Sequence, residues 1–171
     1  MKDEERQWLG DHGAVMGVTS HSTRFDRGGV RFISVEGKDG RICAGFSDGE
    51  IRLALSASVY VAREIPKESC LYREVLGHEM KHKALGRELT EAFTRDLEAH
   101  LAAALADQPF VEVPKGKGFW QAADQRLDAL LEEAFRVFDR NMSRRQLGID
   151  SNAEYQRVDD ACPGEADKFL P

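Results

Sequence analysis

Cysteine is scarce in this chain of 171 residues, and Cys43, Cys70 and Cys162 stand far apart with no CxxC pair. A cysteine-rich zinc knuckle and a thioredoxin-like motif are thereby excluded, while a single disulfide is not. One bridge plus one free thiol would fit an exported protein, and three buried thiols a cytosolic one. Long apolar runs are also missing. None approaches the roughly 20 residues that cross a bilayer, so no membrane insertion is expected. The N-terminal MKDEERQWLGDHG is charged from its second residue and lacks the apolar core of a signal peptide. There is no basic excess either: 24 Lys and Arg against 30 Asp and Glu leave a net charge of −6, which argues against a nucleic-acid partner. The local cluster Arg136, Arg140, Arg144 and Arg145 mostly shares one side of a helix and reads as a solvated face. A phosphate-binding glycine loop, a dinucleotide fingerprint and a serine-nucleophile motif are absent, and the glycines punctuate turns instead.

With hydrophobic residues at 42% and charged residues at 32%, the length suits one globular domain with a core of its own. The fold class that the pattern predicts is α+β. Four short extended runs come first: Val30 to Val35, Arg41 to Phe46, Ile51 to Ser56 and Val59 to Glu64. Between them GKDG and SDGE carry Asp-Gly pairs suited to hairpin turns, which predicts an antiparallel meander. Pro66 ends the last run, Ser69 is placed to cap a helix, and Leu71 to about Asp107 contains no proline and only Gly77 and Gly86. That stretch predicts one long helix, or two meeting near Gly86. Gln108 to Gly118, with two prolines and two glycines, reads as a loop. A second helix from Phe119 to about Arg145 must then lie antiparallel to the first. Ser151 followed by Glu154 has the form of a capping box and opens a short third helix, with an irregular tail from Pro163.

Within the long helix stands REVLGHEMKHKALG, Arg73 to Gly86. Histidines four residues apart share one helical face, so His78 and His82 can offer two nitrogens to one tetrahedral Zn2+ ion. Glu79, about 100° around the helix from His78, stands beside such an ion and can take a proton from its water. A surface helix that spells HExxH by chance is the bland alternative. Against it stand the preceding meander, the apolar Val75-Leu76 lead-in and the strong helix start.

VLGHEMKHKA resembles the signature of the zincin metallopeptidases, in which a β-sheet is followed by an active-site helix carrying HExxH. SCLYREVLGHEMKH, with the later IDSNAEYQRV and Cys162, resembles a group of poorly characterised bacterial zinc proteases regarded as secreted. The resemblance implies a single zincin-like metallopeptidase domain over residues 1–171, with zinc as cofactor and His78 and His82 as its ligands. It implies Glu79 as general base, and a peptide or protein substrate laid along an edge strand beside the metal helix. It also tilts the expected location toward the periplasm or the exterior. The zincin pattern prefers uncharged residues where this chain has Lys81 and Lys83, both of which can point to solvent.

The third ligand is left open. Glu88 sits at a metzincin-like position, but the helical sequence runs on past it. In the gluzincin arrangement a later helix supplies the carboxylate. If Asp107 and Phe119 bound the loop between the antiparallel helices, His82 faces the region of Arg144 and His78 that of Gly148. Asp139 is then the first choice. Asp150 is second, because it competes with a role as cap beside Ser151. Arg140 and Arg144 could hold a substrate carboxylate or a developing oxyanion. His100 lies about 27 Å along the helix from His82, too far to share a metal. His12 and His21 are minor candidates. Cys70 is expected in a disulfide, with Cys162 favoured over Cys43, since the longer loop restricts the unfolded chain more. The competing function is a non-catalytic binding or inhibitory protein on a zincin-like scaffold.

Overall fold

The computed structural model describes residues 15–114 and 118–169. The chain runs β1 (Gly17–Glu36), β2 (Arg41–Val61), α1 (Cys70–Asp107), β3 (Phe110–Pro114), α2 (Phe119–Leu147), α3 (Asn152–Ala161) and α4 (Glu165–Phe169). It is a mixed α and β fold, a three-stranded antiparallel sheet of order β1-β2-β3 together with helices. Among the described residues no helix is long and apolar enough to cross a membrane.

The four expected runs join into two long strands. Only GKDG turns: Gly40 takes φ 78°, and the Gly37 amide donates to the Arg41 carbonyl at 2.8 Å. SDGE, Ser47 to Glu50, stays extended within β2. An Asp-Gly pair favours a turn only where the backbone has no better partner, and here β1 is long enough to hydrogen-bond through it. Asp48 meanwhile pairs with Arg31 of β1 at 2.8 Å.

The segment read as a loop also contains β3. Phe110 to Pro114 pairs antiparallel with Arg41 to Gly45, Val111 opposite Ala44 and Val113 opposite Ile42. Two β-branched residues at alternate positions and an unpaired edge of β2 outweigh the prolines, which confine the strand to five residues. Arg41 and Glu112 add an ion pair at 2.9 Å.

The helices follow their signals closely. The Ser69 hydroxyl accepts from the Tyr72 amide at 3.0 Å and caps α1, which continues unbroken through Gly86 for 38 residues. The Ser151 hydroxyl accepts from the Glu154 amide and caps α3. The tail expected to be irregular holds one more turn of helix, α4.

Contacts along the chain sort it into two compact units. The first comprises, among the described residues, 15–22, 56–88 and 144–169. Its core is Ile65, Leu71, Val75, Val158 and Cys162, and a disulfide joins Cys70 to Cys162, the favoured pairing. Cys43 is a free thiol. The second unit comprises, among the described residues, 23–55, 89–114 and 118–143. Leu97, Leu127 and Leu131 pack there with Phe93 and Phe135, and the Phe93 ring stacks on Phe138.

Candidate metal centre

Leu71, Val75, His78, His82 and Leu89 are all buried and lie four, three, four and seven residues apart along α1, with Glu79 buried beside them, so both histidines lie in its core-facing stripe. A buried imidazole nitrogen without a polar partner costs about 1–3 kcal/mol, so the site must satisfy two of them. The partner is Asp150. It lies between the end of α2 and Ser151, and because the Ser151 hydroxyl caps α3, the Asp150 carboxylate is left for the histidines. Its Oδ1 is 3.1 Å from His78 Nε2 and 2.9 Å from His82 Nε2, and the two nitrogens are 3.1 Å apart. The Tyr155 hydroxyl donates to the same oxygen at 3.2 Å.

These edges describe a triangle that suits a metal. Ligand atoms about 2.0–2.1 Å from a tetrahedral zinc ion stand about 3.3 Å from one another, a few tenths of an ångström wider than here. Two imidazoles and a carboxylate form a donor set used by catalytic zinc sites, which leave a fourth position open. His78, His82 and Asp150 form a largely buried group that could hold a metal ion. A second group by proximity, Cys70, Cys162 and Glu165, is not available as such, since its sulfurs are joined to each other.

Electrostatics tie the group together. Burial alone would raise the Asp150 pKa, but hydrogen bonds from His78 and His82, the charge of His82 and the Tyr155 hydroxyl hold it well below the usual carboxylate range. Burial opposes charge on His82, yet its bonds to Asp150 and Gln146 and the charges of Asp150 and Glu79 raise its pKa on balance. Partial burial, and after it the charge of Asp150, raises the Tyr155 pKa as well.

Glu79 is buried next to the group. On β1, Thr19 Oγ1 lies 2.7 Å from Glu79 Oε2 and 2.9 Å from its backbone oxygen, and its hydroxyl donates there. Two residues earlier the strand comes so close that a Cβ on Gly17 would stand 2.7 Å from Glu79 Oε1. Farther along β1, the His21 ring crosses α1 at Gly86, where an added Cβ would be 2.4 Å from His21 Nε2. Burial, and after it the charge of His82, lowers the His21 pKa against a hydrogen bond to the His82 backbone.

Outside the triangle, Gln146 Oε1 stands 2.6 Å from His82 Nδ1, and Gln146 Nε2 donates to the His82 carbonyl at 3.2 Å. His78 Nδ1 is buried without a hydrogen-bond partner, 3.6 Å from Glu154 Oε1. Glu154 is engaged by Lys81 at 2.5 Å and Arg157 at 2.9 Å, and Arg157 reaches Glu74 at 2.7 Å.

The residues singled out by sequence thus part company. His78, Glu79 and His82 cluster as the spacing predicts, and Lys81 and Lys83 are exposed on α1. Asp139, the first choice for the third carboxylate, is not in the group. It belongs to the second unit, where it lines a groove with Phe25, Asp128, Phe135 and Arg140, and Asp150 takes the place next to the histidines. The expected helix register was nearly right, for His82 meets Gln146 and His78 meets Asp150, each two residues beyond the position deduced. Asp150 ranks second by sequence because a role as cap competes for it, and Ser151 fills that role instead. Glu88 and His100 are exposed, Arg144 is exposed in the first unit, and His12 lies outside the described residues. Sequence reasoning missed Gln146, Thr19 and Tyr155. The same register, applied to every polar residue and not to carboxylates alone, points to Gln146. Compared with protein-family models, curated proteins and solved structures, the chain matches none.

Proposed function

We propose that this chain is a zinc-dependent peptidase of the zincin type, with His78, His82 and Asp150 holding the metal and Glu79 as general base. The observation that carries the reading is the convergence of His78 Nε2, His82 Nε2 and Asp150 Oδ1 within 2.9–3.1 Å of one another, with a buried glutamate directly after His78 on the helix that holds both histidines. Zinc held there supplies a Lewis acid that polarises a peptide carbonyl and acidifies water. Glu79 accepts the proton of the attacking water and delivers it to the leaving amine as the C–N bond breaks. Thr19 keeps the carboxylate oriented for that exchange through its hydrogen bond to Oε2. The disulfide fits an oxidising compartment, as a secreted or periplasmic peptidase requires.

One observation favours the non-catalytic alternative: Glu79 is only 5% exposed beneath Gly17 and Thr19, which restricts a substrate's approach. The same experiment separates the two. Protein purified without chelator is assayed for zinc and for cleavage of an unstructured protein substrate, with and without phenanthroline. Stoichiometric zinc and chelator-sensitive cleavage are expected. Glu79→Gln should keep the metal and lose at least about 100-fold in turnover, the usual weight of a general base. Folded, metal-free protein would overturn the peptidase, and near-wild-type turnover of the variant would overturn the role of Glu79.

A further inference from the structure

We infer that Gln146, at the C-terminal end of α2, is the positioning residue that fixes His82 as a metal ligand through Nε2. The inference rests on the metal-site reading above and concerns how the chain prepares that site.

The argument is one of donors and acceptors. The Gln146 amide makes two contacts with the same residue: Nε2 donates to the His82 carbonyl at 3.2 Å, and Oε1 faces His82 Nδ1 at 2.6 Å. The first contact orients the amide, because a backbone carbonyl can only accept and so takes the NH2 group. The oxygen is therefore the atom presented to Nδ1. An amide oxygen can only accept, so Nδ1 must carry the proton. In a neutral imidazole a proton on Nδ1 leaves a lone pair on Nε2. Nε2 is also the nitrogen that converges with His78 Nε2 at 3.1 Å and Asp150 Oδ1 at 2.9 Å, and a metal bound there would take its lone pair in place of a proton. Gln146 thus holds the Nδ1 proton and restrains the ring about its χ angles, so that Nε2 is the nitrogen a metal ion can take.

The arrangement has no counterpart on His78, whose Nδ1 lacks a hydrogen-bond partner. The lock is single. His78 is oriented by ring packing, with His82 edge-on at 4.8 Å and Tyr155 at 5.7 Å between centroids. A glutamine suits the task in a half-buried position because it offers a strong acceptor and adds no charge.

The test is zinc affinity, read by competition with a chromophoric chelator, in the wild type and two variants. Gln146→Met keeps length and helix propensity but removes the acceptor. Gln146→Glu keeps the acceptor, loses the donor and adds a charge. A positioning role predicts that Gln146→Met weakens zinc binding about 10- to 100-fold, the usual effect of deleting an outer hydrogen-bond partner, while Gln146→Glu binds at least as tightly as wild type. A merely structural role predicts the reverse order, since methionine fills the space and a half-buried carboxylate disturbs it. Circular dichroism melts of the metal-free forms report folding separately. Equal zinc affinity of wild type and Gln146→Met would overturn the inference and leave the metal site standing. Weaker binding by Gln146→Glu in a folded protein would overturn it too. A wild type that takes up no zinc would remove the site and this role together.

Discussion

Asp150 shows what a single residue contributes at this site. Its Oδ1 receives two imidazole nitrogens and a phenol, and those partners keep it ionised although burial works against the charge. An anion so held is ready to bind a cation without first losing a proton. Asp150→Ala should weaken zinc binding by at least about 100-fold, because two histidines alone hold the metal poorly. Asp139→Ala, in the second unit, should leave the affinity unchanged within about twofold. Equal losses in a chelator competition would reject Asp150 as the ligand. The contrast also marks how far the site was legible. The histidines and Glu79 are read from a local repeat, because four residues bring a helix round to the same face. The third donor is 68 residues from His82, and its choice turned on whether Ser151 or Asp150 caps α3, a matter of hydrogen bonds between neighbours.

Among elements, the strand-to-helix contact is the most exacting. β1 meets α1 at two glycines, Gly17 under Glu79 and Gly86 under His21. Gly86 lies inside a helix, where it costs about 1 kcal/mol relative to alanine, so its presence calls for a local cause. The cause is the His21 ring, which would stand 2.4 Å from a new Cβ. Gly86→Ala should therefore destabilise the wild type by about 1–2 kcal/mol, as overpacking outweighs the helix propensity. In a His21→Ala background the same change should stabilise by about 1 kcal/mol. Urea midpoints of the four proteins measure this coupling, and an equal effect of Gly86→Ala in both backgrounds would dismiss it. Elements differ in legibility for the same reason. α1 and α3 start on their own capping serines, and the periodicity of α1 and α2 is local, so sequence placed both ends of α1 and α2 and the start of α3 within two residues. β3 and the unbroken β2 depend on a partner strand, which local sequence does not contain.

For the whole molecule, the Cys70–Cys162 bridge ties the start of α1 to the end of α3, a separation of 92 residues. The chain-entropy account assigns a loop of that size about 4–5 kcal/mol of stabilisation through the unfolded state. Replacing both cysteines by alanine should lower stability by about 2–5 kcal/mol in denaturant unfolding, and Cys43→Ser by less than about 1 kcal/mol. A reducing agent should reproduce the first effect in the wild type and add nothing to the double variant. Unreduced peptide mapping that found three free thiols would overturn both expectations.

By itself the sequence determined what short range can decide: the helices, their caps, the buried face on which His78 and His82 stand, and the glutamate between them. Hydrogen bonding and side-chain periodicity within a few residues are sufficient for those. The cysteine pairing was also within reach, since a long loop favours it on entropy alone. Only the tertiary structure decided that SDGE extends, that a proline-bounded segment becomes a strand, and that Asp150 and Gln146, not Asp139, meet the histidines. Each of those outcomes depends on which distant group satisfies a polar atom when water is removed, and that competition is settled by the packed chain as a whole.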